Sequence, residues 1–118
     1  MPRGSSGFVK VFYPHCNQAE LVALLRERLP TLATVLPLKR VSLFGSWAQG
    51  KATAFSDIDL IVIYADPPRE DAYQVVRRSL KLRGLEPHMY SEQQANAMQV
   101  TLERMTEGSI VLFPDDNV

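Results

Sequence analysis

The chain has 118 residues, 46% of them apolar and 22% charged, which is the balance of one globular domain large enough to bury a core. The 13 Lys and Arg offset the 13 Asp and Glu, so the formal net charge is zero, and the basic excess of a dedicated nucleic-acid binder is missing. The one cysteine, Cys16, excludes an intrachain disulfide framework and fits a reducing, cytoplasmic setting; no apolar run reaches the ~18 residues that would cross a membrane.

No secretory leader is expected, because the first residues carry no long apolar segment. "RGSSG" (3–7) reads as a flexible lead-in to a single domain over 1–118. "FVKVFY" (8–13) alternates weakly and reads as a short edge strand. His15 and Cys16 are adjacent, but no second pair completes a zinc site. Asn17 followed by Glu20 matches a capping box, opening a helix with Leu21, Leu24, Leu25 and Leu29 on one face. Pro30 either kinks this helix or lies at its end, and Pro37 closes the region. "RVSLF" (40–44) is a strand that Gly45 breaks. "SWAQG" (46–50) then reads as a very short helix, with Ser46 as N-cap and Gly50 as its stop. "DIDLIVIY" (57–64) is a second strand, rich in β-branched residues.

From Pro67 to Gly84 the spacing predicts a helix, with Ala72, Val75, Val76, Ser79 and Leu80 on one face. "EPHMY" (86–90) is a third strand in which Pro87 limits pairing. Ser91 and Gln94 form another capping box, and Ala95, Met98, Leu102 and Met105 share the face of one following helix. Gly108 ends it, "IVLF" (110–113) is a last short strand, and "PDDNV" is a solvated tail. The order of elements gives an α/β or α+β fold, a small mixed sheet flanked by helices.

The stretch "LFGSWAQGKATAFSDIDLIVI" (43–63) places two carboxylates inside an apolar strand. Side chains alternate along a strand, so Asp57 and Asp59 share one face, with Ile61 and Ile63 further along it, while Ile58, Leu60 and Val62 enter the core. Two neighbouring carboxylates repel, and burying them uncompensated is costly. A divalent cation removes the conflict: Mg²⁺ takes hard oxygen ligands from carboxylates and phosphates, and two such ions can clamp both oxygens of a phosphoryl displacement. Gly45 lets a ligand approach the backbone, and the start of a helix at Ser46 would offer free N–H groups to phosphate. Taken singly, a Gly-Ser turn or an Asp-x-Asp is most often a loop or a cap. Joined by ten residues, between two strands, they are far more specific.

"FGSWAQGKATAFSDIDLIV" resembles the signature of the DNA polymerase β nucleotidyltransferase superfamily, and the short chain resembles its minimal prokaryotic members. The resemblance implies that Gly45 and Ser46 contact the nucleotide phosphates and that Asp57 and Asp59 hold two Mg²⁺ ions. It also implies a third carboxylate from a later strand, acting on the acceptor hydroxyl and the metal. The candidate is Glu86, a departure from the usual Asp, with Pro87 behind it. His88 is an alternative base, although a half-buried strand residue is the plainer reading. The resemblance further implies transfer of AMP from ATP, or of another nucleoside monophosphate, to a hydroxyl. In such proteins the acceptor is commonly a tyrosine of a HEPN-type partner, whose antitoxin the nucleotidyltransferase is. The alternative is an inactive module of the same fold that acts by docking on its partner; nucleic acid and membrane are not expected partners.

Among the remaining residues, Lys51 could reach a phosphate, but an exposed surface lysine is the simpler reading. Trp47 is expected to pack on the sheet, Met98 and Met105 to belong to the core, and Arg77, Arg78, Lys81 and Arg83 to make a solvated basic face.

Overall fold

Residues 17–53 and 56–114 are described by a computed structural model. The expected lead-in at 3–7, strand at 8–13, His15–Cys16 pair and the tail beyond Pro114 lie outside the described residues.

The chain runs α1 (Gln18–Ala33), β1 (Leu38–Phe44), β2 (Ile58–Tyr64), α2 (Ala72–Leu80), β3 (Leu85–Ser91), α3 (Glu92–Ala97), α4 (Gln99–Met105) and β4 (Ile110–Phe113). The strands form one mixed sheet in the order β3-β2-β1-β4. β1 pairs antiparallel with β2 and β4, whereas β2 and β3 are parallel. That parallel pair requires a crossover, and α2 supplies it.

The capping box opens α1 as expected: Glu20 N–H donates to Asn17 Oδ1 at 2.8 Å, and Asn17 N–H donates to Glu20 Oε1 at 2.9 Å. Pro30 does not lie at the end of this helix but inside it, three residues before Ala33. Leu21, Leu25, Leu29 and Leu32 form its buried stripe. They meet Ala72, Val76 and Leu80 of α2 over one face of the sheet, built from Val41, Leu43, Leu60, Val62, Leu85 and Leu112. The Arg28 guanidinium ties the two helices together by donating to the carbonyls of Leu80 and Lys81 at the end of α2.

Three expectations change. The helix expected over 67–84 is confined to 72–80; its cap is Lys81, at φ 53, and Gly84, at φ 74, belongs to the turn into β3. The single helix expected after Ser91 is two. Met98 leaves helical geometry (φ −112, ψ 25) and its N–H is shared between the carbonyls of Gln94 and Ala95. The break lets α3 continue from β3 while α4 turns Leu102, 7% exposed, toward the sheet face that carries Ile61 and Ile63. Finally, 46–50 is not a helix. Its hydrogen bonds change span at every step: Gln49 N–H to Gly45 O, Gly50 N–H to Trp47 O, and Lys51 N–H to Ser46 O. Pro87 does limit pairing, for β3 is an outer strand of the described sheet and meets only β2.

Leu25 is fully buried between α1 and the sheet. Leu25→Ala should lower unfolding stability by about 2–5 kcal/mol, the range for emptying a packed leucine site, measured by urea titration.

Candidate active site

The end of the sheet where β1 finishes and β2 begins gathers the residues that sequence reasoning picked out. Phe44 is the register partner of Asp59 across β1 and β2, and Glu86 is the partner of Asp59 across β2 and β3. Paired residues in register project to the same side, so Asp59 and Glu86 stand side by side on the face opposite α1 and α2. Asp57 lies one residue before β2 and is exposed. His88, two residues beyond Glu86 on β3, brings Nε2 within 3.8 Å of Asp59 Oδ1 and packs its ring edge-to-face on Phe44, with centroids 5.2 Å apart.

Gly45 is required here twice over. Its φ of +77 lies in the left-handed region that side chains disfavour. A Cβ built on it would fall 2.6 Å from Asp59 Oδ2. The carboxylate therefore occupies the space that a side chain at 45 would fill.

Electrostatics mark Asp59 as the strained member. Its carboxyl is pushed above the usual range, chiefly by burial and then by the like charges of Asp57 and Glu86; the ion pair and hydrogen bond with His88 pull the other way. Burial and repulsion win. The net result is a half-buried carboxylate with two acidic neighbours and one imidazole beside it.

The turn at 45–50 is fixed by a residue that sequence reasoning missed. The Gln18 side-chain amide donates to Trp47 O at 2.8 Å and to Ala48 O at 3.1 Å. A trans peptide directs its N–H opposite to its C=O, so holding the Trp47 carbonyl turns the Ala48 N–H away from α1. The turn's own hydrogen bonds use the N–H groups of Gln49, Gly50 and Lys51, not those of Ser46, Trp47 and Ala48. The helix start expected at Ser46 is thus a pinned turn, without a helix dipole. Only position 18 as the first residue after a cap hinted at Gln18, and nothing in the sequence linked it to residue 47.

Lys51 is exposed, and Trp47 packs against the core as expected, although among the described residues its buried indole N–H has no hydrogen-bond partner. On α2, the Arg77 guanidinium donates to Leu85 O at 2.8 Å and lies over the Tyr73 ring.

Among the described residues no cluster of three or more His, Cys, Asp or Glu side chains is closed up as a ready metal cage. Mg²⁺ does not need one: it keeps water and takes one or two carboxylates plus phosphate oxygens. The donor set fits such an ion. Asp57, Asp59 and Glu86 offer hard oxygens, and their mutual repulsion is what a cation would relieve. Among the described residues no helix is long and apolar enough to cross a membrane.

A family profile for the nucleotidyltransferase domain matches residues 22–109. No curated protein matches the chain. Among solved structures, a protein from Sulfolobus solfataricus provisionally named a nucleotidyltransferase is 19% identical, with a TM-score of 0.59 over 85% of this chain and 86% of that one. That likeness shows the fold. A toxin–antitoxin structure with AMP-PNP is 22% identical, with a TM-score of 0.49 over 85% of this chain and 75% of that one. A mutant of the toxin–antitoxin pair MntA-HpeT is also 22% identical, with a TM-score of 0.48 over the same shares.

Gly45→Ala should destabilise the protein by at least about 1–2 kcal/mol, the penalty for an L-residue in the left-handed region, with the contact at Asp59 adding to it; urea titration measures this. Asp59 has the opposite sign. Its folded-state pKa is raised, so the native state holds that proton more tightly than the unfolded chain, and ionisation costs stability as pH rises from 3.8 through the folded value. Asp59→Asn should therefore melt higher than wild type at neutral pH. The gap should close as pH is lowered toward 3.8, as read by thermal unfolding across a pH series.

Proposed function

Because the chain belongs to the nucleotidyltransferase domain family, we propose that it transfers a nucleoside monophosphate, AMP from ATP, to an acceptor hydroxyl at the end of the sheet where Gly45, Asp59 and Glu86 meet. One observation carries this assignment of the site: the Asp59 carboxylate, raised in pKa by burial and by its acidic neighbours, lies in the space left by Gly45. This carboxylate has two like charges beside it that its contact with His88 does not outweigh, and an electrostatic conflict of this kind is typical of functional sites.

In this reading the N–H groups of Ser46 to Ala48 hold the β- and γ-phosphates, with Gln18 keeping the turn in position. Asp57 and Asp59 would hold Mg²⁺, with Glu86 as the third carboxylate. When bound, the metal would neutralise the phosphates and polarise the α-phosphoryl group. Glu86 faces the acceptor and takes its proton. The acceptor oxygen bonds to the α-phosphorus, the α–β bridging bond breaks, and pyrophosphate leaves. The protein's share is positioning and charge stabilisation rather than covalent chemistry. Half-exposed His88 orients Asp59 through their contact.

We assign the acceptor to a HEPN-type partner protein, with this chain as the antitoxin of a cytoplasmic toxin–antitoxin pair. The support is the resemblance of residues 44–62 to minimal nucleotidyltransferases.

Asp57→Asn should reduce pyrophosphate release from Mg·ATP in the presence of the partner by at least ~100-fold, the worth of a single well-placed electrostatic group. Near-normal turnover by that variant would overturn the assignment.

A further inference from the structure

We infer that the base of the nucleotide, adenine by preference, is read in a separate cleft further along the same sheet face, between β1, β2 and the α3–α4 pair. The inference rests on the nucleotidyl-transfer reading above. The cleft has a volume of about 290 Å³. Ile61, Ile63 and Leu102 give it apolar walls, and Ser42, Asn96 and Gln99 bring polar groups to it.

Ser42 is the first pointer. It is 1% exposed and it lines the cleft. A serine hydroxyl can turn to donate or to accept, so it brings a polar contact to an otherwise apolar floor.

Direction is the second pointer. An in-line displacement sets the attacking and leaving oxygens on opposite sides of the phosphorus. The turn that takes the leaving phosphates follows β1, on one flank of Asp59, and Glu86 on β3 stands on the other. The nucleoside must leave the phosphorus across that line, and the path along β2 runs over Ile61 and Ile63. At about 3.3 Å per residue these lie roughly 7 and 13 Å from Asp59, within the reach of a nucleoside.

Chemistry is the third pointer. Pockets that take whole small-molecule ligands run to ~300–1,000 Å³, so this cleft suits a ring system rather than an entire triphosphate. Asn and Gln amides present a donor and an acceptor side by side, the pairing that reads the adenine edge. Arg40 and Glu103 bring opposite charges to the lining, which favours a neutral heterocycle over an anion.

The test is amide chemical-shift mapping of the full chain with three probes: Mg·ATP, Mg·tripolyphosphate and adenosine. Mg·ATP should shift residues 46–48 together with Ser42, Ile61, Ile63 and Leu102. Mg·tripolyphosphate should shift only the turn, and adenosine only the cleft. Gln99→Trp, at an exposed position, should fill the cleft and weaken Mg·ATP ~10-fold or more while leaving Mg·tripolyphosphate binding unchanged. Should that variant not fold, Asn96→Trp, also exposed, serves the same purpose. If Mg·ATP shifts the turn but leaves the cleft untouched, or if a cleft-filling variant binds Mg·ATP like wild type, the inference is wrong and the nucleotidyl-transfer reading stands. If neither Mg·ATP nor Mg·tripolyphosphate shifts the turn, that reading fails and takes the inference with it.

Discussion

At the end of the sheet, Asp59 Oδ2 lies 2.6 Å from where a side chain on residue 45 would have its first carbon. Gly45 directly follows Phe44, the antiparallel partner of Asp59, and a side chain there would compete with the carboxylate for the same space. Glycine at 45 ends that competition. It also takes the left-handed φ that turns the chain away from the sheet into residues 46–50. One absent side chain therefore does two things: it seats a carboxylate against backbone, and it starts the turn.

The sheet's topology supplies the rest. α1 and α2 cover one face with leucine and valine, which leaves the other face to Asp59, Glu86 and His88 at one end and to α3–α4 at the other. Because β2 and β3 are parallel, the start of β3 is brought level with the start of β2. Glu86 therefore arrives beside Asp59 although 27 positions separate them in the chain. An antiparallel β3 would have carried its first residues to the far end of the sheet.

Much of this was legible in the residues. The alternation in 57–64 gave the two faces of β2, since period-two burial allows one register only. Both capping boxes were readable because they are local chemistry among four residues. The same locality explains the misses. Residues 46–50 have a plausible helix cap and stop, but a five-residue stretch has too little propensity to resist the strands on either side, and long-range bonds from Gln18 set its shape instead. The stripe Ala95, Met98, Leu102, Met105 fits one straight helix, yet the chain must leave β3 and then turn back over the sheet, and the bend falls at Met98. The Gln18–Trp47 contact spans 29 positions and follows no periodicity, so only the folded structure could reveal it. The pairing of Asp59 with Glu86 was half visible: the sequence nominated both, but their common level depends on strand direction, which neither residue encodes.

The hairpin of β1, the 45–57 connection and β2 carries Gly45, Ser46, Asp57 and Asp59 on one continuous piece of chain, whereas Glu86 waits for the α2 crossover. Contacts close in sequence carry a small loop-closure entropy and form early, and parallel crossovers form late. The order of assembly follows from this. Gly45, Ser46, Asp57 and Asp59 come together with the first strand pair, and Glu86 joins them only when the parallel strand completes the sheet.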